Sequence, residues 1–296
     1  MSELEHSNWK GNTGGTPWMQ RFMAWSFRYL PLQVPYWCMG WVIPFYMLFA
    51  HKGYLAAYHF FRRRMGYNPL RAFWHVYLNH FRFGQVIIDR FAMFSGKTFQ
   101  CEIDNYDAYR KLDQGEAGFV QVSSHTGNYE LAGYSLIPER KSFNALVFSG
   151  ETEQMQKGRS QMFEGKRMAM IPVSPDMSHI FAMNNVLAEG NIVSIPGDRV
   201  FGSPKTVECI FFGAKADFPL GPFAMAVQRG VEMLAVFCMK ETTHRYRIFC
   251  RPLTVPDDLK RRDRMAALAQ AFASELETVV RQYPNQWFNY FEFWKD

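Results

Sequence analysis

His125 is the side chain in this sequence best suited to move a proton near neutral pH, and Glu130 follows it by five positions. An imidazole whose Nδ1 proton is accepted by a carboxylate keeps Nε2 free as a general base. A base of that kind typically speeds a reaction by roughly a hundred- to ten-thousandfold. Other chemistries fail on spacing. No GxSxG elbow accompanies His125, which leaves a serine hydrolase without a nucleophile. Gly158 and Gly165 are separated by six residues where a phosphate loop needs four, and no HExxH pattern appears. Cys38, Cys101, Cys209, Cys238 and Cys250 form no CxxC pair and are odd in number, so neither a zinc site nor a disulfide framework is expected. The chemistry is therefore acid–base catalysis without a metal. A second stretch with polar function in mind is Ile195-Pro196-Gly197-Asp198-Arg199. Arg199 can pair with a phosphate, and Asp198 can hold Arg199 or bind a polar group of a substrate. An ordinary surface ion pair is an equally good reading of the two.

These residues need elements that bring them together. Phe119, Val120 and Val122 read as a short buried strand, and Gly127 and Asn128 as the turn and cap from which a helix starts at Tyr129. That places His125 at the carboxyl end of a strand, where side chains and helix amides converge on ligands. The amides of Gly127 and Asn128 are the nearest donors for negative charge developing on a carbonyl oxygen. Upstream, 98–103 reads as a strand and 106–112 as a helix. Downstream the rhythm continues with a strand at 143–148, a helix at 151–167, a strand at 170–173, a helix at 177–189 and a strand at 191–195. The last of these puts Asp198 and Arg199 on the same rim as His125. Residues 233–239 and 246–250 read as an antiparallel pair near one edge, and 257–282 as a long amphipathic helix with Lys260, Arg261, Arg262 and Arg264 near its start. The fold class is α/β, a mostly parallel central sheet flanked by helices with an amino-terminal apolar helical attachment.

Composition agrees with one large core, divided as a polar leader plus apolar and aromatic region at 1–95 and an α/β core at 96–296, packed as one unit. Aromatic residues make up 17% of the chain and the net charge is +6. The first suits apolar chains or a membrane interface, and the second an anionic partner. No nucleic-acid motif supports nucleic acid as that partner. Residues 29–50 carry no charge, a length near the roughly 20 residues that span a bilayer, but Pro31, Pro35 and Pro44 interrupt them. A kinked interfacial or re-entrant helix is expected, anchored by Trp37, Trp41, Phe45, Tyr46 and Phe49 with Arg62, Arg63 and Arg64 following, or else an apolar hairpin packed on the core. If it is a detachable anchor, deleting the first 50 residues leaves the remaining core intact. The helix at 70–95, with Phe73, Tyr77, Phe81 and Ile88 near helical spacing, is expected to face the core. The amino end lacks the basic start of a secretory signal.

The hexapeptide His125-Thr126-Gly127-Asn128-Tyr129-Glu130 resembles the histidine, four residues, acid motif of the lysophospholipid acyltransferase superfamily. Its HxGNxE form resembles the lipid A late acyltransferase (lauroyl/myristoyl transferase) branch. The resemblance continues in order through the apolar amino-terminal segment, Phe211-Phe212-Gly213, a helix start with glycine and proline, and the tail Tyr283-Pro284-Asn285-Gln286-Trp287. It implies a fatty acyl transfer with His125 as base and Glu130 as its orienter. The implied co-substrate is an acyl carrier protein or coenzyme A thioester, with no other cofactor. The implied acceptor is lipid-like, met on an anionic membrane surface, and the implied location is the cytoplasmic face of the inner membrane. Arg159 and Arg167 lie in the part of the chain that carries an acceptor-handling arginine in that family. The chain differs from the branch in reading Gly197-Asp198-Arg199 for a Pro-Asp-Gln-like stretch, and Phe288-Asn289-Tyr290-Phe291 for a His-Arg-Arg-Phe-like ending. Two alternatives stand beside this reading: a catalytically silent acyl- or lipid-binding protein on the same fold, and an acyl hydrolase with the same base.

Overall fold

The chain is built on β2 (Phe119–Ser123), every residue of which is buried, as expected of a strand covered on both faces. In the computed structural model, residues 25–27, 29–49, 51–147, 165, 167–174, 176–199 and 205–294 are described. Seven strands form one sheet. From one edge they are β1 (Gln100–Asp104), β9 (Arg245–Leu253), β8 (Glu232–Lys240), β2, β5 (Ile192–Pro196), β3 (Phe143–Val147) and β4 (Met168–Pro172). Every pairing is parallel except β8 with β9. The expected antiparallel pair is therefore present, and its turn reverses β9 and the edge strand β1 against the rest.

The connection between β2 and β5 is long, yet the two lie side by side in register, with Ser123 opposite Pro196. The ladder runs one step further, since the Gly197 amide donates to the Ser123 carbonyl at 2.7 Å. Glycine is required there because a Cβ would come within 2.4 Å of Val122 Cγ2 and 3.0 Å of the Phe272 ring. This register brings the two polar stretches of the sequence onto one rim.

Helices cover the faces: α3 (Pro69–Phe94), α4 (Tyr106–Gln114), α5 (Tyr129–Ser135), α6 (Ser178–Ala188), α7 (Gly221–Arg229) and α8 (Arg261–Gln282). A separate hairpin of β6 (Thr206–Phe211) and β7 (Ala214–Pro219) packs on α8, an element the residue pattern did not reveal. It turns through Phe212 in the left-handed region, φ 51, and carries Phe211 and Phe218 into a cluster with Phe60, Trp287, Phe293 and Trp294. Residue Arg159 and all of the helix expected over 151–167 except 165 and 167 lie outside the described residues.

The amino-terminal segment is α1 (Gln33–Phe49) and α2 (His51–His59), continued by a π-helical turn at Phe60–Arg64. None of the helices among the described residues is long and apolar enough to cross a membrane. α1 has two faces. Tyr36, Ile43 and Met47 are buried against the core, whereas Trp37, Trp41, Phe45 and Phe49 form a ladder at a four-residue interval with 64% to 87% of each side chain exposed. The described part of the segment is therefore packed on the core along one side. On α3 the inward face includes Ala72, Val76, Asn79, His80, Ile88 and Asp89; of the stripe expected, Ile88 is buried and Tyr77 and Phe81 pack partly buried on the core, whereas Phe73 is 52% exposed. α3 approaches α1 closely at Gly84, where a Cβ would meet Met39 at 2.9 Å. Tyr77 does turn toward α1, where its hydroxyl donates to the Gly40 carbonyl at 3.2 Å.

A buried polar cluster fastens α1 and α3 to the sheet. Asp89 accepts from Lys240 at 2.5 Å and from the hydroxyls of Tyr36 and Tyr246, and the Lys240 and Asp89 side chains are fully buried. Burial pushes the Asp89 carboxyl up and the Lys240 ammonium down, and the pairing between them works against both shifts.

Candidate active site

The turn after β2 is shaped by hydrogen bonds before any catalysis is considered. Gly127 adopts φ +47, and a Cβ there would come within 2.0 Å of the Cys238 carbonyl. Only glycine lets the loop lie so close to β8. Asn128 then caps α5, its Oδ1 accepting from the Leu131 amide at 3.2 Å. Ser124 is not a nucleophile in waiting, because it is 2% exposed and its hydroxyl shares a hydrogen bond with Thr126 at 2.8 Å.

His125 projects from this turn with 24% of its side chain exposed. Its Nδ1 lies 2.7 Å from Asp198 Oδ1, and its own amide donates to Asp198 Oδ2 at 2.8 Å. The carboxylate thus grips the residue at ring and backbone together. With Nδ1 committed to Asp198, Nε2 is the nitrogen left to accept a proton. The Asp198 side chain is 2% exposed. Burial alone would push its carboxyl up, but His125 and then Arg199 more than offset that, and the carboxyl lies below the usual range. It stays ionised and acceptor-only, as the partner of a catalytic imidazole must.

The carboxylate on the His125 ring is Asp198 and not Glu130, the one expected there. β2 and β5 run in parallel register, so the residue two positions past each strand end, His125 and Asp198, must meet at the rim. Glu130 belongs to the first turn of α5 and faces α3, where Arg90 Nε lies 3.2 Å from its Oε2. The Arg90 guanidinium sits 5.9 Å from the Tyr129 ring, and that ring is 5.9 Å from His125. Glu130 and Arg90 thus border the site through Tyr129. The signal for Asp198 was available in the matched strand ends, but a five-residue interval to an acid was the more conspicuous pattern.

The other expected residues divide. Gly127 and Asn128 are at the site, but their amides are engaged: Gly127 donates to the Gln286 carbonyl at 2.8 Å and Asn128 to the Cys238 carbonyl at 2.7 Å. They hold the loop, and neither amide is free to meet an oxyanion. Arg199 is on the rim, where Nη2 donates to the Phe288 carbonyl at 2.8 Å and the guanidinium lies 5.8 Å from the Phe291 ring. Its Nε is buried without a hydrogen-bond partner among the described residues. Arg167 precedes β4, the edge strand three places from β2, and donates to the Arg140 carbonyl at 2.7 Å. It is not brought to His125.

The tail enters the site in a way no spacing announced. Thr126 and Trp287 form an antiparallel bridge, and the Phe288 amide donates to the His125 carbonyl at 2.8 Å. Gln286 is anchored on Lys240 through both side-chain atoms, each at 2.8 Å, and the Trp287 carbonyl accepts from Asn79 at 2.9 Å.

Comparison with known proteins follows the same lines. Residues 89–296 match the model of the family described as bacterial lipid A biosynthesis acyltransferase. The chain is similar to the phosphatidylinositol mannoside acyltransferase of Mycobacterium tuberculosis (strain ATCC 25618 / H37Rv), 23% identical over 172 residues, 57% of this chain and 52% of the relative. It is similar to the protein of the same name from Mycolicibacterium smegmatis, 22% identical over 187 residues, 62% of this chain and 59% of the relative. The chain spans between half and three-fifths of the length of these curated relatives. Among solved structures, the 1-acyl-sn-glycerophosphate (LPA) acyltransferase PlsC from Thermotoga maritima aligns with 11% identity and a TM-score of 0.41, covering 87% of this chain and 99% of its own. A family model matched from inside α3 to the end of the chain takes in β2, β5 and the tail alike, and the chain belongs to the bacterial lipid A biosynthesis acyltransferase family.

Proposed function

We propose that this protein is an acyltransferase that moves a fatty acyl group from an acyl carrier protein or coenzyme A thioester to a hydroxyl or amine of a lipid-like acceptor. The observation that carries the reading is the His125–Asp198 pair, whose geometry leaves Nε2 as the base at the open rim of a parallel sheet. His125 takes the acceptor's proton as its oxygen or nitrogen attacks the thioester carbonyl, and Asp198 stabilises the imidazolium that forms. The proton then passes to the departing thiolate, or to solvent.

The relatives are named for acylating a phosphatidylinositol mannoside, and the family for lipid A, so a glycosylated lipid is the acceptor class we favour. The exposed ladder Trp37, Trp41, Phe45 and Phe49 suits a membrane interface, and the exposed Arg62 and Arg63 suit its anionic head groups. We infer attachment to one face of the inner membrane, on its cytoplasmic side, without a span.

The test is purified protein with acyl-coenzyme A or acyl-carrier protein and membrane lipid, read by mass spectrometry. His125→Ala should lower transfer by at least about a hundredfold, with folding unchanged. Activity within about tenfold of the parent removes His125 from the base role, and thioester hydrolysis without acylated lipid makes the protein a hydrolase.

A further inference from the structure

We propose that Trp287 is a positioning residue for the His125–Asp198 pair and that the segment at 286–288 is a working part of the site, an inference that rests on the acyl-transfer reading above. The tail is the only described element that bonds to both members of the pair. Trp287 Nε1 donates to Asp198 Oδ2 at 3.4 Å, and the Phe288 amide donates to the His125 carbonyl. Arg199, next to Asp198, is held by the Phe288 carbonyl. One short segment thus ties together two strand-end loops that are 73 positions apart in the chain.

The carboxylate has two oxygens and three donors: the His125 ring on Oδ1, and the His125 amide with the Trp287 indole on Oδ2. The indole is the one donor that comes from outside the pair. It fixes the plane of the carboxylate and draws charge toward Oδ2, away from the oxygen that faces the imidazole. The rest of the ring is held independently, by Phe60 at 5.0 Å, Phe293 at 5.3 Å, Phe211 at 5.4 Å and Trp294 at 5.9 Å between centroids. Packing therefore supplies the position and the N–H supplies the tuning, which makes the two separable by mutation.

Trp287→Phe keeps an aromatic ring in the cluster and deletes the N–H. The carboxylate becomes more basic and holds the imidazolium more tightly. The acid limb of the pH profile of kcat/KM should therefore move to higher pH, by about 0.3 to 0.6 of a unit, as expected for one long hydrogen bond to a charged group. Turnover at the optimum should fall about three- to tenfold with KM for the thioester unchanged. The charged groups around the pair are Arg199 beside Asp198, and Arg90 with Glu130 beyond Tyr129, and the substitution touches neither.

A readout without turnover is the low-field proton of the His125 Nδ1–H to Asp198 bond, identified by its loss in His125→Ala. It should move downfield in Trp287→Phe. If Phe is not tolerated, benzothienylalanine at 287 replaces the N–H by sulfur at nearly the same volume and should give the same two shifts. An unchanged pH profile and low-field proton would overturn the proposal, as would a loss of activity that tracks loss of stability with the acid limb in place. If His125→Ala is as active as the parent, the acyl-transfer mechanism fails instead. If His125→Ala is inactive and Trp287→Phe is unaltered, only the role of Trp287 fails.

Discussion

Asp198 and Glu130 are two buried carboxylates within reach of one histidine turn, and their partners separate their roles. Asp198 accepts from the ring and the amide of His125, while Glu130 pairs with Arg90 on α3. Asp198→Asn keeps the shape but offers an amide that can hold the ring in the wrong tautomer. Loss of transfer on the order of a thousandfold is expected, by analogy with other triads. Glu130→Gln should cost less than a tenth of that, measured as kcat/KM on the same donor and acceptor. Equal losses would return Glu130 to the chemistry. The Asp198 carboxyl is depressed on folding, so its contribution to stability is fully present above the unfolded value of about 3.9 and is lost as pH falls through the lower folded value. The stability difference between parent and Asp198→Asn, followed by thermal melts, should therefore shrink as pH falls below about 4.

At the scale of elements, the buried cluster of Asp89, Lys240, Tyr36 and Tyr246 joins α3, β8, α1 and β9. A buried ion pair adds little net stability over an apolar pair of the same shape, but breaking one strands a charge. Lys240→Met should destabilise by about 3 kcal/mol or more in chemical denaturation, and adding Asp89→Leu should recover part of the loss. A cost under about 1 kcal/mol would mean that water reaches Asp89. The exposed face of α1 answers to different physics, because it buries nothing against the described residues. Trp41→Glu with Phe45→Glu should leave the melting temperature within about 2 °C, since exposed substitutions usually change stability by no more than about 0.5 kcal/mol. The same pair should lower co-sedimentation with anionic vesicles at least tenfold. Vesicle binding that survives both charges would move the membrane contact elsewhere.

For the molecule as a whole, the net charge of +6 has to be weighed against a site whose charges are already paired. Surface charge acts over roughly 10 Å at 0.1 M salt, so its effect is on encounter with an anionic surface and not on the buried His125–Asp198 pair. Raising salt from 50 to 500 mM should weaken binding to anionic vesicles severalfold, given about 1 kcal/mol per basic residue near such a surface, while transfer to detergent-dispersed acceptor changes by less than twofold. Equal sensitivity in both assays would place the charge effect in the site itself.

Local pattern was enough to determine the strand that ends at His125, the glycine turn, the helix that follows, the alternation of strands and helices, and the reversed pair at 233–250. Each follows from near-neighbour forces: burial on both faces of a short apolar run, the conformation open to Gly127, and the cap supplied by Asn128. Aromatic composition and the uncharged run at 29–50 likewise marked α1 as a surface for something apolar, although not which of its faces packs inward. Tertiary structure alone decided which acid meets the base. A side chain five positions along a helix can be turned to another helix, as Glu130 is to Arg90, whereas two strand ends in parallel register are forced together however many residues intervene. It also decided that Trp287 and Phe288 close over the pair, and that Arg167 lies by the edge strand β4, away from it, because strand order and tail path depend on how whole faces bury against one another and leave no periodic trace in the chain.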